Sequence, residues 1–225
     1  MNFLCIFGVL LAVIGCASID PDPVPKIDGN LEHAEWRSAE ALAIAGGGTV
    51  RLRRIGTDLY IAVSAVESGF PTIFVGNADT IDVLHASAAL ASVRYIRSGD
   101  TWTPVTQSFN YTLRQNSDGT QAPKAARDDF LEANNWLSIS DRSHGLEREF
   151  LVRLDSERQF LALSFLGIPS MRIYGWPASM SDSTGDVRLL RGEVPSKLKF
   201  SPGSWRAVGQ QPNNSFKPKP LRGSA

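Results

Sequence analysis

A period of two runs through most of the chain. In DLYIAVSA (residues 58–65), Leu59, Ile61, Val63 and Ala65 fall on one face. In TVRLRRI (49–55), Val50 and Leu52 point inward against Arg51, Arg53 and Arg54. TIDVLHA (80–86) alternates Ile81, Val83 and His85 with Asp82, Leu84 and Ala86. Such alternation marks strands with a face in a core. Gly56-Thr57-Asp58 joins the first two as a hairpin turn, and Ser98-Gly99-Asp100 joins ASVRYIR (91–97) to TWTPV (101–105). FNYTLRQ (109–115), REFLVRL (148–154), QFLALSFLG (159–167) and DVRLLRG (186–192) complete the strand list. One segment departs from the period. APKAARDDFLEANNW (122–136) carries Pro at a position suited to a first helical turn, then Ala-rich helix formers. The pattern predicts an all-β, antiparallel fold, a sandwich or barrel, with one minor surface helix.

The ends of the chain differ from its middle. The first fifteen residues, MNFLCIFGVLLAVIG, are apolar and uncharged. A permanent membrane span needs roughly 20 apolar residues, so this run reads as a signal peptide (1–15). Val13-Ile14-Gly15-Cys16-Ala17 resembles the bacterial lipoprotein signal, with Cys16 as the residue to be lipidated. The other reading is an ordinary cleaved signal with a chance cysteine. Ala17, rather than Asp, resembles lipoproteins sent to the outer membrane. Cleavage before Cys16 removes Cys5, so the exported domain is expected to hold no disulfide. Residues 16–26 form a Pro-rich tether, residues 27–191 one domain, and residues 192–225 a disordered basic tail. Overall charge is balanced, so no basic bias points to nucleic acid.

The domain opens with IDGNLEHAEW (27–36). Asp28-Gly29 suits a turn, and one helical turn from Glu32 would drop Trp36 onto the end of the sandwich as a packing anchor. Ile27-Asp28-Gly29, Trp36 and Ala39 are followed by Leu59-Tyr60-Ile61-Ala62-Val63 and by Asp79-Thr80-Ile81-Asp82-Val83. This succession resembles the family 9 carbohydrate-binding modules and the related DOMON-type β-sandwich domains. The resemblance spans residues 27–83 and returns loosely at 147–166 and 176–190. It implies a carbohydrate-binding-like antiparallel β-sandwich over 27–191 with a non-catalytic role, which the lipoprotein-type signal places in an exported, lipid-anchored envelope protein. The implied partners are carbohydrate and, through the anchor, a membrane.

Sugar rings stack on exposed aromatic faces while polar groups take the hydroxyls. The candidate ligand-binding residues are Trp102, Trp136 and Trp176, with Asn134, Asn135, Arg172 and Asp182 as polar neighbours. Each tryptophan has half-buried packing as its competing role. No resident cofactor is expected. A structural Ca²⁺ fits the composition but has no ligand set to name. Haem is the second ligand class implied by the DOMON-type resemblance, drawing on His33, His85, His144, Met171 and Met180. An envelope structural or assembly lipoprotein without a small ligand is the third reading. No nucleophile or metalloprotease motif is present. Glu147 and Glu149, two apart on one strand face, read as a solvated face.

Overall fold

The computed structural model describes residues 22–87, 89–110, 122–140, 146–155, 157–178, 180, 194–196 and 198–208. Cys16, His144, Asp182 and the expected strand at 186–192 lie outside them. The elements in chain order are β1 (Glu40–Ala43), β2 (Thr49–Ile55), β3 (Asp58–Ser64), β4 (Gly69–Gly76), β5 (Thr80–Ala86), β6 (Leu90–Ser98) and β7 (Thr101–Asn110). They continue with α1 (Lys124–Asn134), β8 (Trp136–Ser140), β9 (Glu147–Arg153), β10 (Phe160–Gly167), β11 (Ile173–Trp176) and β12 (Arg206–Ala207). One sheet has the order β1-β2-β3-β9-β8, and the other β11-β10-β4-β5-β6-β7, with β12 also on β10. Among the described residues every strand pairing is antiparallel. This is an all-β sandwich with one minor helix.

Local chemistry sets the turns. Gly56 and Gly99 take φ of +62° and +61° at the tips of the β2–β3 and β6–β7 hairpins, a region open to glycine at little cost. Helix α1 begins after Pro123 and ends at Asn135 in the left-handed conformation, whose N–H bonds the Leu131 carbonyl.

The two sheets enclose Val50, Leu52, Leu59, Ile61 and Val63 from one side and Ile73, Val75, Leu84, Leu161 and Leu163 from the other. Asp82, on β5, lies within this sandwich and is met by two arginines. Arg94 donates from Nε at 2.7 Å and Nη2 at 2.9 Å, and Arg158 from Nε at 3.1 Å and Nη2 at 3.0 Å. Arg158 also donates to the Asn135 and Arg153 carbonyls, so the end of α1 is pinned to both sheets. A buried charge is tolerable when paired and bonded this fully.

Both sheets also bury their outer faces. On the five-stranded sheet, Trp36 packs with Tyr60, Ala62 and Leu151. On the other sheet, Phe74, Ile81, Val83, Val93, Tyr95 and Trp102 are covered by Phe200 and Trp205. The Phe200 ring sits 5.7–6.0 Å from those of Phe74, Tyr95, Trp102 and Trp205. The expectation of a disordered tail from residue 192 does not hold for residues 198–208. Residues 198–208 form a strap: Leu198 pairs with Trp102, β12 pairs with β10, and Phe200, Trp205 and Val208 are buried. Burial of those three apolar side chains provides the ordering energy that the polar composition concealed. At the other end, the tether is held from Asp22 onward, with Pro25 buried and the Lys26 N–H bonded to Glu35.

Candidate functional site

Two of the three candidate tryptophans are interior. Trp102 is 2 % exposed and donates from Nε1 to the Phe200 carbonyl at 3.3 Å. Trp136 is 1 % exposed, donates from Nε1 to Ser92 Oγ at 2.7 Å, and meets Phe130 edge-on at 5.6 Å. Their indole N–H groups are satisfied internally and their faces are packed, so neither offers a stacking platform. Asn134 caps its own helix by bonding the Phe130 carbonyl, and Asn135 is the helix terminus.

Trp176 is different. It ends β11, an edge strand, and is half-buried against the inter-sheet core together with Tyr174 and Leu42. Tyr174 and Trp176 are two apart on the strand and share a face. Their register on β10 is Phe165 opposite Tyr174 and Leu163 opposite Trp176.

A carboxylate organises this edge. Glu67 Oε1 accepts the Tyr174 hydroxyl at 2.6 Å and the Ser170 hydroxyl at 2.6 Å, and Oε2 accepts the Ser170 N–H at 3.3 Å. The turn from β10 to β11 is shaped to allow it. Gly167 N–H bonds the Arg172 carbonyl at 2.9 Å, and Arg172 N–H bonds Ser170 Oγ at 3.1 Å. A Cβ at Gly167 would collide with Glu67 Oε1. Gly46, at φ +94°, lies against the Tyr174 ring, where a Cβ would meet Cδ1 at 2.2 Å. The bonds from Ser170 and Tyr174 hold the Glu67 carboxyl below the usual carboxylate range. It is thus an ionised acceptor bonded to the Tyr174 hydroxyl, with Trp176 two residues further along β11 and Arg172 exposed on the same turn.

No protein-family model, no curated protein and no solved structure matches the chain. Its chemistry has to be read from its own side chains.

The remaining candidates disperse. His33 is exposed, as is Met171, whereas Met180 and His85 are buried. His85 Nδ1 bonds Thr72 Oγ1 at 2.9 Å. Burial, aided by the Arg148 charge, holds its pKa down to about 3, so its ring is neutral. Among the described residues no group of three or more His, Cys, Asp or Glu side chains could hold a metal ion.

Glu149 overturns the solvated-face reading. It is 0 % exposed. Oε2 accepts the N–H groups of Asp28 at 3.0 Å and Gly29 at 2.8 Å, while Oε1 accepts Trp36 Nε1 at 3.2 Å. This carboxyl is the reason for the opening motif. It ties the Asp28-Gly29 turn and the tryptophan to β9. Burial pushes its pKa up to about 7, against the opposing pull of the Gly29 and Asp28 N–H groups.

Sequence reasoning missed Glu67 and Ser170. Glu67 lies 107 residues from Tyr174 and 103 from Ser170, and no local pattern joins them.

Proposed function

We propose that this chain is a non-catalytic, carbohydrate-binding β-sandwich domain of an exported, lipid-anchored envelope protein, with its ligand site at the β11 edge. The observation that carries the reading is the ionised Glu67 carboxylate bonded to Tyr174, a half-buried aromatic that shares a strand face with half-buried Trp176. Sugar C–H faces stack on such rings, and sugar hydroxyls donate to such a carboxylate. Glu67, Ser170 and Tyr174 also hold one another, so the acceptor and one ring are positioned before a ligand arrives. The likeness of residues 27–83 to family 9 carbohydrate-binding modules points to the same ligand class, and Gly15-Cys16-Ala17 to the lipid anchor. Among the described residues no helix is long and apolar enough to cross a membrane.

A glycan-array screen tests the site, run on wild type, Trp176→Ala, Tyr174→Ala and, as a control on the distant β6–β7 hairpin, Ile96→Ala. Binding by wild type and Ile96→Ala that is lost in both aromatic variants supports the reading. Silence from a folded wild type, or binding that ignores both aromatics, refutes it.

A further inference from the structure

The edge that carries Tyr174 and Trp176 continues past Trp176. β12 lies on the same side of β10 as β11, because β4 occupies the other side along the whole of Phe160–Gly167. β11 meets β10 at Leu163–Leu166 and β12 meets it at Phe160–Leu161, so the two short strands run in line along one edge. Among the described strands none pairs beyond them. Residues opposite one another in an antiparallel pair share a face. Phe165, Leu163 and Leu161 face the inter-sheet core. Their partners Tyr174, Trp176 and Arg206 therefore form a row on that face, each two β10 residues from the next. From Tyr174 to Arg206 the row is about 13 Å long.

Polar groups close both ends of the row. Arg206 reaches across to the other sheet, where its Nη2 donates to Oε1 and Oε2 of Glu40 on the edge strand β1, at 2.9 Å each. A guanidinium carries five donors, and this pair engages Nη2 alone. The two side chains are 49 % and 44 % exposed, so a ligand can reach them. At the other end Glu67 accepts the Tyr174 hydroxyl, and Arg172 is exposed on the adjoining turn. Two carboxylates and two guanidiniums thus flank the half-buried Trp176, and their charges cancel.

We propose that this row binds a neutral oligosaccharide lengthwise. Trp176 stacks on a central sugar, Glu67 with the Tyr174 hydroxyl takes the hydroxyls of the sugar at one end, and the Arg206–Glu40 pair takes those of the sugar at the other. The proposal rests on the carbohydrate reading and adds to it the length and charge of the ligand. One sugar ring cannot span the row, so contact with both ends needs a chain. The polar groups at each end already hold one another, so they lose little freedom when the chain binds. An acidic chain would set its own carboxylates against Glu67 and Glu40.

The test is a calorimetric titration of the full chain with the tetra-, di- and monosaccharide cut from the strongest neutral glycan of the array. Wild-type affinity is expected to rise at least about tenfold from the monosaccharide to the tetrasaccharide. In Glu40→Gln/Arg206→Gln that gain should shrink to about threefold or less. The pair is exposed, so the melting temperature of the double variant should change little. Wild-type affinity that ignores chain length overturns the proposal. So does an undiminished gain in the double variant, or a preference of the array for acidic glycans. The two readings fail separately. Silence on the array, or binding indifferent to Trp176→Ala, refutes the carbohydrate site and the row with it. Affinity that ignores length but still needs Trp176 removes the row and leaves the site.

Discussion

Glu149 and Glu67 each accept three hydrogen bonds, yet the protein treats them oppositely. Glu149 is fully buried and its pKa is pushed up to about 7. Glu67 is half-buried at an edge and its carboxyl is held below the usual range. The count of donors is the same, so desolvation decides the sign. The difference separates two jobs. Glu149 gathers two backbone N–H groups and an indole onto β9, which is a structural task. Glu67 keeps its charge at a half-exposed edge, bonded to Tyr174, as the proposed ligand site requires.

The sharpest way to break this contrast is to delete the buried partner. Glu149→Ala leaves the N–H groups of Gly29 and Trp36 without their acceptor, inside the protein. A loss of roughly 3 kcal/mol in urea unfolding is expected. A loss below about 1 kcal/mol would mean that the opening segment is held by apolar contacts alone.

A pH series comes next. The raised pKa of Glu149 means that the folded state binds the proton more tightly than the unfolded chain. Its contribution therefore weakens stability as pH rises from about 4.5 to about 7, by roughly 3 kcal/mol, and is level above that. His85 acts in the other direction. Its lowered pKa makes stability rise with pH between about 3 and 6.5. Wild type should thus show a shallow profile between pH 4.5 and 6.5. Glu149→Gln should unmask the rising His85 limb, and parallel profiles for the two proteins would contradict the assignment.

Smaller effects are expected at the edge. Gly167→Ala places a methyl against Glu67, the end of a flexible side chain. Stability should fall by no more than about 1 kcal/mol, while glycan affinity drops as Glu67 is displaced. Glu67→Gln should leave the melting temperature unchanged and weaken glycan binding about tenfold. An unchanged affinity there would make Glu67 a loop staple only.

Much of the sandwich could be read from the period of two. β2, β3, β5 and β6 fall where alternation placed them. β4 escaped because Gly69, Pro71 and Gly76 look like breakers. Glycine is needed there, since a Cβ at Gly69 or Gly76 would meet a backbone oxygen of the neighbouring strand at 2.2 or 2.0 Å. The burial of Glu149 had a faint sequence signal. Tyr60 and Ala62 put apolar groups on the outer face of β3, so that face had to be covered. The strap had none, because Phe200, Trp205 and Val208 follow no helical or strand period. Trp176 was legible as a candidate, but its separation from Trp102 and Trp136 was not. That sorting depends on which strand is an edge and on what the strap covers, and both are settled by residues distant in sequence.

The most direct measurement is a calorimetric titration of the strongest array glycan into wild type and Trp176→Ala. The account predicts at least about tenfold weaker binding in the variant at an unchanged melting temperature. Equal affinity in the two proteins would contradict it.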